Sequence, residues 1–154
     1  KIKNIIELNT LIENYQVLKI YPSNLYIKIN KTKLLAKINN SGKIMLLGSN
    51  GKLSETISTN QQLPFIFGKP KVEEFLNFKI IIDQSKISYD EIENFYFFPS
   101  KRWDIELKSN IVVRLPMKNL KGSLDQAFKF LANKDLKNNL TLDARIEGQI
   151  IFND

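Results

Sequence analysis

The chain has 154 residues, 43% of them hydrophobic and 25% charged. That length holds one domain or two small ones and is enough to bury a sizeable core. It has no cysteine and no histidine. This excludes a disulfide framework and a thiol nucleophile, and removes the commonest general base and transition-metal ligands.

In chain order, Ile2, Ile5, Ile6 and Ile12 recur at helical spacing and predict an amphipathic helix over 2–14. VLKIYPSNLYIKIN reads as two short strands around a Pro22-Ser23-Asn24 turn. Leu34–Ile38 reads as a third strand or as the continuation of the second. KIMLLGSNGKL carries Asn50-Gly51 between apolar flanks, a strong hairpin signal. Residues 55–69 shift in composition and mark the best domain boundary. Within them LPFIFGKP reads as a loop of fixed shape, because Leu63, Phe65, Ile66 and Phe67 want burial. Pro70, with Glu73 and Glu74 in the first turn, opens a helix through about Ile81. EIENFYFFP, RWDIELK and IVVRLP follow as a meander, with Ser109-Asn110 as a two-residue turn. Leu124, Ala127, Phe128 and Leu131 mark a helix over 119–133. A closing strand runs from Leu140 to Phe152, with Leu140, Leu142, Ala144, Ile146, Ile150 and Phe152 on one side. Thr141, Asp143, Arg145, Glu147 and Gln149 lie on the other. Trp103, Leu107, Val113, Leu124 and Phe128 are assigned to the core. Helices and strands in this order make an α+β fold.

The net charge is +7. Such a balance admits nucleic acid, an anionic membrane surface or an acidic partner. Lys, Asn and Ile are abundant together, which is a compositional bias, and only Arg102, Arg114 and Arg145 are arginine among 23 basic residues. Phosphate-reading surfaces favour the arginine fork, so the charge is discounted as a nucleic-acid signal. No run reaches the 18 or so apolar residues of a membrane span. The chain opens mid-pattern without a signal peptide, and an upstream segment is expected.

Catalytic patterns are weak. Ser49-x-x-Lys52 matches a lysine-activated serine motif, but on a hairpin turn Ser, Asn and Gly are expected for turn reasons. Asp104 and Glu106 share a strand face with Arg102 and Lys108, which reads as a solvated, mutually screened face. Phe95, Tyr96, Phe97 and Phe98 read as core rather than base-stacking residues. No cofactor or metal site is expected.

Four segments resemble a known family in order and spacing. VLKIYPSNLYIKI resembles the V-x-x-x-x-P-x-x-L-x-I-x-I segment that closes a POTRA domain. LPFIFGK resembles an L-P-x-x-x-G loop. RWDIELKSNIVVRLP resembles R-W-x-I-x-L-x-(D/N)-G-x-x-V-x-L-P, and LTLDARI a terminal I-D-x-R strand. Together they resemble the FtsQ/DivIB family of bacterial cell-division proteins, in its FtsQ branch. The family's E-R-x-P-x-A stands here as Lys31-Thr32-Lys33-Leu34-Leu35-Ala36, with only Ala36 kept, and its hairpin glycine is Asn110.

The resemblance implies a partial POTRA domain over 1–40, lacking its first strand and helix, then an FtsQ-type β-domain over 41–154 with a mixed or antiparallel sheet and two packing helices. It implies a non-enzymatic, single-pass inner-membrane protein with this part in the periplasm at the septum. Such a protein binds the FtsB–FtsL coiled-coil pair, FtsB directly, which controls peptidoglycan synthesis by FtsW and FtsI. The expected partner surface is Arg145, Ile146, Glu147, Gly148, Gln149 and Ile150, flanked by helix 119–133. A terminal edge strand would accept an FtsB segment as a further strand, main-chain bonds giving affinity. Arg145 would meet an acidic FtsB residue through its two-toothed fork, with Asp143 and Glu147 holding it until then. The competing readings are a POTRA-type outer-membrane assembly module, which calls for repeats that are absent here, and a basic nucleic-acid-binding domain.

Overall fold

A computed structural model describes residues 1–55, 60–132 and 139–153. The chain divides into two compact units, Lys1–Leu63 and Pro64–Asp154. The fold is α+β.

The first unit begins with helix α1 (Ile2–Leu8). The helix expected over 2–14 stops early. Asn9 accepts the Leu11 N–H on its side-chain oxygen at 2.9 Å, a local turn that competes with the helix. Ile12, which fits both periods, belongs instead to strand β1 (Ile12–Ile20). β1 pairs antiparallel with β2 (Asn24–Lys31) across the Pro22 turn. Strands β3 (Leu34–Asn40), β4 (Lys43–Gly48) and β5 (Leu53–Glu55) form an antiparallel meander.

Ser49-Asn50-Gly51 is a three-residue loop closed by Gly48 N–H to Lys52 O and Gly51 N–H to Gly48 O, both 3.0 Å. Asn50 donates from Nδ2 to the carbonyls of Thr10 and Ile12, at 2.9 and 3.1 Å. The Ser49 hydroxyl donates to Glu13 at 2.8 Å, and Lys52 Nζ to the Glu7 carbonyl at 2.9 Å. The serine and lysine of the nucleophile-like motif therefore clamp the α1–β1 junction.

In the second unit strand β6 (Phe65–Phe67) comes from the segment read as a loop. It pairs parallel with β7 (Ile92–Phe97); Ile66 is buried, Phe65 is half-buried, and the exposed Phe67 stacks on Tyr96 at 5.1 Å. Gly68 ends it at φ +96°, and a Cβ there would lie 2.2 Å from the Phe97 carbonyl oxygen. Helix α2 (Val72–Gln84) follows; Glu74 accepts the Lys71 N–H at 2.8 Å and so closes its first turn. β7, β8 (Trp103–Leu107) and β9 (Val112–Arg114) are antiparallel neighbours. Their two connections repeat the loop at Ser49–Gly51. Each has three residues and ends on a positive φ, at Lys101 and Asn110. Ser109-Asn110 is thus part of a three-residue loop with Lys108, longer by one than expected.

Helix α3 (Leu120–Ala132) falls within the expected span. Asn119, at φ 54°, lies before it, and residue 133 lies outside the described residues. The closing strand is corrected. It is two strands, β10 (Thr141–Asp143) and β11 (Ile151–Asn153). The sheet runs β6-β7-β8-β9-β10-β11, with β10 parallel to β9 and antiparallel to β11.

The core of this unit lies between the strands and α2. Phe78 stacks on Trp103 at 4.7 Å and 7°, and Phe75 meets Phe95 edge-on at 5.4 Å. Such pairs contribute about 0.5–1.5 kcal/mol beyond area burial. Trp103, Leu107, Val113 and Leu124 are buried as expected, while Phe128 is half-buried. The expectation of a solvated face at Asp104 and Glu106 fails, because β8 is an interior strand covered on both sides. Asp104 is buried. Glu106 accepts from Asn94 Nδ2 at 2.8 Å and from the Tyr96 hydroxyl at 2.6 Å.

Candidate partner-binding surface

The surface around Arg145 rests on β10. Val112 donates to the Leu140 carbonyl and Ala144 to that of Arg114, both at 2.9 Å. Leu140, Leu142 and Ala144 are buried, so one side of β10 belongs to the core and fixes which way the alternate residues face. Direct addition of a partner strand to β10 is closed, since β9 and β11 flank it. The sheet ends at β11, with no further strand beyond it among the described residues.

The six expected partner residues lie between these strands, on a connection rather than a strand. Ile146 accepts the Gln149 N–H at 3.1 Å, closing a four-residue turn. Gly148, at φ +76°, takes the third position, where a type II turn demands positive φ. Ile146 is 54% exposed, Arg145, Glu147 and Gln149 are exposed, and Ile150 is half-buried. Ile151 and Phe152 on β11 also present large apolar side chains, and Phe152 leans on Phe130 of α3 at 5.4 Å.

Arg145 is held by Asp143. Its Nε donates to both carboxylate oxygens, at 2.9 and 3.0 Å, and its backbone N–H reaches Oδ1 at 3.1 Å. These bonds keep the Asp143 carboxyl below the usual aspartate range, the arginine side-chain bond being the largest cause. Nε and Nη2 are engaged, and Nη1 has no protein acceptor among the described residues. The outer edge of the guanidinium is thus available to a second carboxylate. Glu147 does not share in holding Arg145; it accepts from Asn119 Nδ2 at 3.1 Å and ties the turn to the start of α3.

The arginine pattern has a wider form than the sequence motif. The chain's three arginines stand just before β8, at the end of β9 and just after β10. Arg114 is in register with Asp104 on one side and Asp143 on the other. Arg102 reaches Asp104 at 3.3 Å and sits over the Phe98 ring at 4.4 Å. Burial pushes the Asp104 carboxyl up, against the opposing pull of Arg102, the Leu115 N–H and Arg114. The row alternates in sign across three strands and ends on the exposed fork of Arg145. The signal in the sequence was the use of arginine at only three positions in a lysine-rich chain.

No family model matches the sequence, and no curated protein matches it. Among solved structures, the chain is similar to the major extracytoplasmic domain of the trans isomer of the bacterial cell division protein DivIB from Geobacillus stearothermophilus. Identity is 11% and the TM-score 0.47, over 70% of this chain and 99% of that one.

Proposed function

We propose that this chain is the extracytoplasmic part of a non-enzymatic division scaffold of the FtsQ/DivIB kind, carried on a single-pass inner-membrane protein. It captures an FtsB segment as an added strand beside β11. Through the FtsB–FtsL pair it connects to septal peptidoglycan synthesis by FtsW and FtsI. The observation that carries this reading is the sheet edge. The sheet order ends on a strand with exposed apolar side chains, adjoining a turn that presents Arg145. The four ordered sequence segments that resemble the family support it independently.

In this reading the added main chain lies along Ile151–Asn153, and Arg145, Ile146, Glu147, Gly148, Gln149 and Ile150 flank it at one end. Strand addition supplies main-chain bonds, and a carboxylate on the partner meets the outer edge of the Arg145 guanidinium. Asp143 keeps that guanidinium oriented beforehand, which lowers the ordering cost of binding.

The test is titration of the chain with the C-terminal segment of FtsB from the same organism, beside an Arg145→Glu variant. Saturable binding is expected, weakened by about 2–5 kcal/mol in the variant, with circular dichroism unchanged. Failure of the peptide to bind would sink the scaffold reading. Tight, steeply salt-dependent binding to DNA instead would favour a nucleic-acid role.

A further inference from the structure

The β1–β2 hairpin carries a surface that strand addition at β11 does not use. Of its 17 strand residues only Ile12, Tyr15 and Ile27 are even half-buried. At its tip Leu18, Ile20, Tyr21, Leu25 and Tyr26 are between 46% and 89% exposed. Register places these groups on both faces. Leu18 opposes Tyr26 on one face, Leu25 opposes Lys19 on the other, and Tyr21 stands on the turn itself. A two-stranded hairpin with bare apolar faces is marginal in water, and its tip calls for cover.

Around the tip the charge has one sign, because the hairpin's one carboxylate, Glu13, lies at the base of β1 and accepts the Ser49 hydroxyl. Residues 14–54 hold seven lysines and no aspartate or glutamate. Lys19 lies at the tip and Lys28 two positions behind Tyr26. A partner must therefore be anionic, and it must cover both faces of the hairpin and its turn together. A protein groove covers one face of a sheet, and a phosphate backbone has no use for exposed aliphatic groups. A lipid interface does both: apolar side chains enter the acyl boundary, tyrosines sit at headgroup depth, and lysines reach anionic headgroups.

We infer that the tip of the β1–β2 hairpin docks on an anionic lipid bilayer, immersing residues 18–26 to headgroup depth with Lys19 and Lys28 on the lipid phosphates. The inference rests on the first unit alone and does not depend on the scaffold reading.

Flotation of the full chain with vesicles tests it. Binding is expected to phosphatidylcholine vesicles containing phosphatidylglycerol and not to phosphatidylcholine alone. Lys19→Gln with Lys28→Gln is expected to weaken binding about tenfold or more, since each lysine near such a surface contributes about 1 kcal/mol. Ile20→Ser with Tyr21→Ser keeps every charge and is expected to weaken it comparably. These four positions are exposed, and circular dichroism checks the fold of both variants. A Tyr21→Trp variant reports depth: its added emission shifts to the blue on anionic vesicles and is quenched by brominated acyl chains. No flotation with either vesicle overturns the inference. So does binding that survives the serine variant without quenching, which would be surface adsorption by charge alone.

Discussion

The two aspartates in the arginine row are a pair of opposites. Asp143 keeps its proton affinity low because Arg145 bonds to its ionised form, whereas Asp104 loses solvent and is raised. For Asp143 the folded pKa is below the unfolded one, so its contribution to stability is present above the unfolded value and lost as pH falls through the folded value. For Asp104 the sign reverses: protonation favours the fold, and its contribution is fully present below the unfolded value and lost as pH rises through the folded value. Carbon-detected carboxyl titration is expected to place Asp104 above and Asp143 below the ordinary aspartate value of about 3.9. Arg145→Ala should move Asp143 upward and leave Asp104 nearly in place; coincident titrations would discard the row as a coupled feature. With Arg145 43% exposed at its side chain, the pair contributes about 0–1 kcal/mol to stability, so its role is orientation. Gly68 is the reverse case, a residue fixed by backbone needs. Its positive φ and the Phe97 carbonyl together predict that Gly68→Ala costs about 2 kcal/mol or more in urea denaturation, against tenths of a kcal/mol for an ordinary loop glycine.

At the scale of elements, the division of residues 140–153 into β10 and β11 makes an asymmetric prediction. Leu142 is fully buried on an interior strand, and Phe152, its cross-strand partner, is 47% exposed at the edge. Leu142→Ala is expected to cost about 2–5 kcal/mol by chemical denaturation, and Phe152→Ala about 1 kcal/mol or less. Equal costs would mean that β11 is not the edge. The same pair explains why a single strand was read there. Opposed residues of an antiparallel pair face the same way, and 142 and 152 have the same parity, so the period-2 pattern runs unbroken through the turn. Gly148 alone marked the break. Periodicity likewise carried helix 2–14 too far, because Ile12 satisfies both a helical and a strand period. β6 escaped because three apolar residues between Pro64 and Gly68 offer no alternation to read. The β7–β8–β9 meander, α2 and α3 were readable because each spans enough turns or alternations for its period to declare itself. Arg145 was readable as an exposed cation with Asp143 as its holder two residues away, but the engagement of Glu147 by Asn119 and the turn beneath depended on contacts distant in sequence.

Over the whole chain, charge and core are unequally shared. Residues 1–63 hold nine lysines against three glutamates, leaving six of the seven net charges there. Among the described residues, five of the buried hydrophobic side chains lie in that unit and eighteen in Pro64–Asp154. Like charges oppose compaction and apolar burial favours it, so the first unit has the smaller margin. Trp103, the sole tryptophan, is stacked in the richer core and reports that unit alone, while far-UV ellipticity reports the strands of both. Unfolding is therefore expected to depart from two-state behaviour: ellipticity should begin to fall at lower urea than tryptophan fluorescence. Added salt should narrow the gap, because it screens lysine repulsion without touching the aromatic core. Superimposable curves at every salt concentration would mean that the thin core is held as firmly as the thick one, and that the charge asymmetry has no bearing on stability.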